Sequence, residues 1–141
     1  MKEKPSRLVL DANVFFSALV KDSFTRKLIL ELPLYFYTPD VLIAEITANL
    51  DIISQKNKLT SAENRQILHK LMEYVTLVEY GQYESWLKKA HRIMKDVDPA
   101  DTPYLALAMS FQNDGIWSDD KHFQKQETVK VWKTKDIIEL I

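Results

Sequence analysis

The residues of this sequence that could do chemistry together are carboxylates. Asp11 directly follows the apolar run "RLVL" (7–10), and Glu45 lies beside the apolar stripe of "TPDVLIAEITANLDIISQK" (38–56). Asp98 and Asp101 open the apolar segment "DPADTPYLALA" (98–108), and Asp119 and Asp120 follow "GIWS" (115–118). An aspartate at the end of a buried strand is costly to hold unless something pairs with it. Several carboxylates brought to one place would repel one another and keep some protonated; a divalent cation reverses that logic. With no cysteine and three histidines in the chain, oxygen ligands dominate, which favours Mg²⁺ or Mn²⁺ over Zn²⁺. One or two such ions in an acidic pocket suit phosphodiester hydrolysis: one orients and activates water, and a second stabilises the leaving oxygen.

Each acid also has a structural reading. Asp11 could cap the following helix, and Glu45 could be a solvated helix residue. Asp98 followed by Pro99 is a cap with proline at the first helical position. Asp101 could cap a helix that starts later, and Asp119 and Asp120 could be turn residues. His122 lies close by in a charged loop, where a lone histidine is ordinarily exposed. Lys88, Arg92 and Lys95 share one face of "LKKAHRIMK" (87–95) at i, i+4 and i+7. With Lys121 they could contact phosphates, although a solvated face explains them as well.

The elements that must position these acids alternate short strands with longer helices. Strands are expected at 7–10, at "LYFYT" (34–38), "VTLVEY" (75–80), "GIWS" and "VKVW" (129–132). Ser23 is expected to cap the helix "SFTRKLILEL", and Thr38 with Pro39 to open the one that carries Glu45. Thr60 and Glu63 form a capping-box pattern. The segment "DVDPADTPYLALAMSFQ" (96–112) contains a helix starting somewhere in 98–102 that reads as buried, and its Ala106 and Ala108 allow close approach to a sheet. Phe15, Phe16, Tyr35, Phe36 and Trp132 are assigned to the core. This alternation implies an α/β fold of three α/β/α layers around a central, mainly parallel sheet. Such sheets place their sites beyond the carboxyl ends of the strands.

The whole chain, 1–141, reads as one domain with its core at about 6–137. Apolar residues at 46% and charged residues at 28% are ordinary for a globular protein, and two glycines with five prolines argue against disorder. The absence of cysteine fits the cytoplasm. No apolar run reaches the roughly 20 residues of a membrane span, so no membrane partner is expected. A net charge of −1 means that a polyanion must be held by a local basic patch or by metal ions.

Taken in order, "VLDANVFFSAL", "TPDVLIAEI", "DPADTPYLALA" and "IWSDDKHF" resemble the PIN domain family over nearly the whole chain. The resemblance implies a fold related to flap endonucleases and a Mg²⁺- or Mn²⁺-dependent ribonuclease, with VapC-like toxins of toxin–antitoxin pairs and stand-alone PIN proteins as its nearest types. Carried onto this sequence, it implies Asp11, Glu45, Asp101 and Asp120 as the catalytic and metal-binding quartet. Asn13 matches the small polar residue after the first acid, and Ser118 the hydroxyl that supports the last. Asp119 and Asp98 are left in supporting places. RNA is the implied substrate, an antitoxin protein an implied partner, and a homodimer the implied assembly. A non-catalytic PIN module that docks RNA or protein is the alternative, although such modules usually lack one or more of the acids. A response-regulator receiver would carry paired acids after the first strand, and a phosphatase Asp-x-Asp; Ala12 and Asn13 match neither.

Overall fold

The computed structural model describes residues 4–20 and 23–140. Among the described residues five strands form a single parallel sheet: β1 (Arg7–Leu10), β2 (Tyr35–Pro39), β3 (Val75–Val78), β4 (Ile116–Trp117) and β5 (Val131–Trp132), in the order β3-β2-β1-β4-β5. The strand β1 is central, and Leu8, Val9 and Leu10 are fully buried, as a strand covered on both faces requires.

Between β1 and β2 run α1 (Ala12–Ala18) and α2 (Phe24–Glu31). Between β2 and β3 run α3 (Val41–Ala48), α4 (Leu50–Asn57) and α5 (Ser61–Met72). Between β3 and β4 run α6 (Tyr80–Tyr83), α7 (Leu87–Met94) and α8 (Thr102–Ser110), and α9 (Thr134–Ile138) follows β5. The chain steps from β1 to β2 to β3 in one direction, then crosses back past β1 to β4. Right-handed crossovers therefore put α1–α5 on one face and α6–α8 on the other, which is the three-layer α/β/α fold. The helix α8 packs on β1 and β2 with α6 and α7 against it, and Tyr104 to Ala108 are all buried.

Local chemistry explains the boundaries. Ser23 accepts from the Arg26 amide to start α2, and the Thr60–Glu63 capping box starts α5 with both of its bonds at 3.1 Å. Four expectations are corrected. Pro39 does not open a helix: it ends β2 opposite Val78, and α3 begins after Asp40, whose amide donates to the Val78 carbonyl at 2.9 Å. Alternation turns the missing Pro39 N–H toward β1, whose pairing with β2 has ended by then, so the ladder loses nothing. Thr38 is buried and its hydroxyl donates to the Leu10 carbonyl at 3.1 Å instead of capping. The expected long helix is also two, because the Asn49 side-chain amide takes the Glu45 carbonyl at 2.7 Å. That carbonyl is the one its own backbone N–H would need for the helix to continue. Finally, Tyr35 is 69% exposed and Phe16 only half-buried, while Phe15, Phe36 and Trp132 are in the core as expected.

Candidate metal centre

The chain reverses its direction of travel between β1 and β4, and a crevice at such a switch point is where open parallel sheets bind ligands. Asp11 leaves β1 there and Ser118 leaves β4. Asp11 occupies the cap position of α1 but makes no capping hydrogen bond. Its Oδ2 instead accepts from the Ser118 hydroxyl at 2.7 Å, and both residues are buried. The same Ser118 oxygen accepts from the Asp120 amide at 3.0 Å, so one hydroxyl ties the first acid to the backbone of the last. Burial is the main force raising the Asp11 carboxyl, with the charge of Asp120 adding to it; the Ser118 bond and the Ala12 and Asn13 amides pull the other way, and the result is about 6.

Asp101 ends a 3₁₀ turn, Pro99–Asp101, that leads into α8. It is buried, and its Oδ2 has no hydrogen-bond partner. Burial first, and then the charges of Asp11, Asp98, Asp120 and Glu45, push its carboxyl up to about 8. Acids from four separate segments therefore share one field. Asp98 caps the 3₁₀ turn through Oδ1, which accepts from the Ala100 amide at 3.0 Å, while its Oδ2 lies 3.4 Å from His122 Nδ1. Glu45 is half-buried on α3, and its Oε1 accepts from the Tyr104 hydroxyl of α8 at 2.9 Å. Its carboxyl is raised by burial and by Asp98, against the pull of that hydrogen bond.

The two acids after β4 turn different ways. Asp119 accepts from the Thr134 amide at 2.8 Å and from the Thr134 hydroxyl, anchoring the start of α9. Asp120 faces the other acids. Its Oδ2 accepts from Asn13 Nδ2 at 3.1 Å, and its Oδ1 from the His122 amide at 2.9 Å. The His122 ring comes with it, and Nδ1 lies 3.2 Å from Asp120 Oδ1 and 3.9 Å from Asp101 Oδ2. Asp98, Asp101 and His122 each offer a ligand atom, all within 4.8 Å of one another. A partly buried cluster of carboxylates that includes a buried, unpaired oxygen is chemically suited to a divalent cation. Lys88, Arg92, Lys95 and Lys121 are exposed. Lys95 caps the C-terminal end of α7, three residues ahead of Asp98.

The profile of the PIN domain family matches residues 9–140. The chain belongs to the PIN domain family. PIN domains are generally metal-dependent nucleases, and a five-stranded parallel sheet with acids at its switch point agrees with that class. No curated protein matches the chain. Two neighbours of the PIN pocket were not legible as partners in the sequence. Tyr104 was hidden in an apolar helix run, and only the approach of α8 to α3 gives its hydroxyl a carboxylate. His122 lies close to the acids in the sequence, where a general-base role stands beside the commoner reading of an exposed loop residue; its position two after Asp120 lets one tight turn carry both into the pocket.

Proposed function

We propose that this PIN domain is a metal-dependent endoribonuclease. The observation that carries the reading is the gathering of Asp11, Glu45, Asp101 and Asp120 from four segments around the unpartnered, buried Asp101 Oδ2. Asp11 and Asp101 would hold the principal ion, Mg²⁺ or Mn²⁺, and Glu45 and Asp120 complete the pocket for that ion or a second one. When bound, the ion supplies neutralising charge, polarises the phosphodiester and acidifies the attacking water.

The chain's own residues do the positioning. Ser118 fixes the Asp11 carboxylate and the Asp120 backbone together, and Asn13 fixes the Asp120 side chain. Tyr104 orients Glu45 from α8. Lys121 and the exposed cations of α7 and its C-terminal cap, Lys88, Arg92 and Lys95, hold the phosphate backbone of single-stranded or structured RNA. The setting is the cytoplasm. Where the protein acts as the toxin of a pair, an antitoxin inhibits by inserting a basic side chain among these acids, which the excess of carboxylates favours.

The test is Mn²⁺ and Mg²⁺ calorimetry on wild type and Asp11→Asn, with a mixed RNA pool incubated alongside. Ion binding and metal-dependent cleavage in wild type, both lost in the variant, are expected. Ion binding without cleavage of any RNA would overturn the substrate, and absence of both would overturn the nuclease reading itself.

A further inference from the structure

His122 is a nitrogen donor in a pocket otherwise built of oxygens, and the quartet does not use it. Its Nδ1 is buried within the structure although the ring is partly exposed, and it makes no hydrogen bond. Asp101 Oδ2, 3.9 Å away, is likewise buried and unpaired. Two buried polar atoms this close together without hydrogen-bond partners are rare in a folded chain, where such atoms nearly always find them. Asp98 Oδ2 lies 3.4 Å from the same nitrogen. Ligands about 2.1 Å from a common ion are separated by about 3–3.5 Å. The imidazole-to-Asp98 separation of 3.4 Å has that spacing, and with Asp101 Oδ2 at 3.9 Å and all three atoms within 4.8 Å of one another, a small inward adjustment of the side chains would complete one coordination shell.

We propose that Asp98, Asp101 and His122 form a metal position within the acidic pocket, and that the imidazole makes the protein select a transition-metal ion, Mn²⁺ before Mg²⁺. This rests on the nuclease reading and sharpens it by naming the ion and an additional ligand. Mg²⁺ holds oxygen ligands and gives up water reluctantly, whereas imidazole suits the first-row transition metals. Asp101 belongs to both groups of acids and joins this position to the Asp11 side of the crevice. Asp98 keeps Oδ1 for the cap of the 3₁₀ turn and leaves Oδ2 for the ion. The hydrogen bond from the His122 amide to Asp120 Oδ1 fixes the backbone that presents the ring.

The experiment compares wild type, His122→Asn, His122→Asp and Asp101→Asn for Mn²⁺ and Mg²⁺ affinity by calorimetry. Electron-spin-echo spectroscopy on bound Mn²⁺ then reads nitrogen coupling, and circular dichroism confirms that each variant is folded. Wild type is expected to bind Mn²⁺ at least tenfold more tightly than Mg²⁺ and to show imidazole nitrogen coupled to the ion. His122→Asn loses the coupling and about tenfold in Mn²⁺ affinity, with Mg²⁺ affinity within twofold of wild type. His122→Asp, an all-oxygen site, narrows the preference between the two ions.

Mn²⁺ binding without nitrogen coupling, abolished by Asp101→Asn but unchanged in His122→Asn, overturns this inference and leaves the nuclease reading standing. Tighter Mn²⁺ binding in His122→Asn also overturns it, since the ring would then be occupying the ion's place. Absence of any divalent-ion binding in wild type overturns both.

Discussion

Ser118 does two jobs with one oxygen, and its loss separates them from simple packing. Ser118→Ala leaves the Asp11 carboxylate buried with one hydrogen bond fewer and frees the Asp120 amide. Losing such a bond to a buried charged group costs about 1.5–3 kcal/mol. The expected outcome is a fall in chemical-denaturation midpoint together with at least a tenfold loss of metal-dependent cleavage. Asp101→Asn acts in the opposite sense on stability. The Asp101 carboxyl is raised from its ordinary range to about 8. Its contribution is therefore fully present below about pH 4 and is lost as pH rises through 8. In chelator, the variant should be more stable than wild type at pH 9 by roughly 1 kcal/mol, or about 3–5 °C in Tm, and the gap should close toward pH 4. A gap independent of pH would show that Asp101 is not crowded by the other acids. At this scale the sequence was informative about the acids, because strand ends and helix starts are recognisable positions. It placed His122 near the acids but could not pair it with Asp101, or Tyr104 with Glu45, since those contacts exist only through space.

The elements place the acids by small devices, and some of these are readable. Capping by Ser23 and Thr60 is local chemistry, which is why α2 and α5 start where the sequence indicates. Thr60→Ala, remote from the acids, removes one capping bond and should cost about 1 kcal/mol with cleavage unchanged, making it a control for the Ser118 variant. Other boundaries depended on pairing. Pro39 stays in β2 because β3 lies opposite it, and α3 stops because the Asn49 side chain competes for a carbonyl. Neither partner can be chosen from sequence alone. Gly115 is the strictest device. Its φ of +128° lies where side chains are strained, and an added Cβ would collide with the Lys130 carbonyl across β4 and β5. Gly115→Ala should destabilise by about 2–4 kcal/mol and, by shifting the two-residue β4, displace Ser118 from Asp11.

At the scale of the whole molecule, the topology explains why a chain with a net charge of −1 can present so acidic a crevice. The turn-around between β1 and β4 sends two strand ends and the starts of α1 and α8 to the same edge of the sheet, so acids scattered from 11 to 120 meet there. Among the described residues no helix is long and apolar enough to cross a membrane. Without a cation the gathered carboxylates strain the fold, so a divalent ion should act as a stabilising ligand as well as a reagent. At an ion concentration about one hundred times its dissociation constant, the stabilisation is roughly 2.7 kcal/mol. Melting in Mn²⁺ against chelator at pH 8 should show it, and Asp11→Asn should abolish it.

The most direct measurement is the single-turnover cleavage rate of a mixed single-stranded RNA pool in Mn²⁺ and in chelator, for wild type and Asp101→Asn. Cleavage is expected only from wild type and only with the ion, with Asp101→Asn folded and at least a hundredfold slower. Cleavage that persists in chelator, or equal rates in folded Asp101→Asn, would rule out a metal-dependent acidic centre.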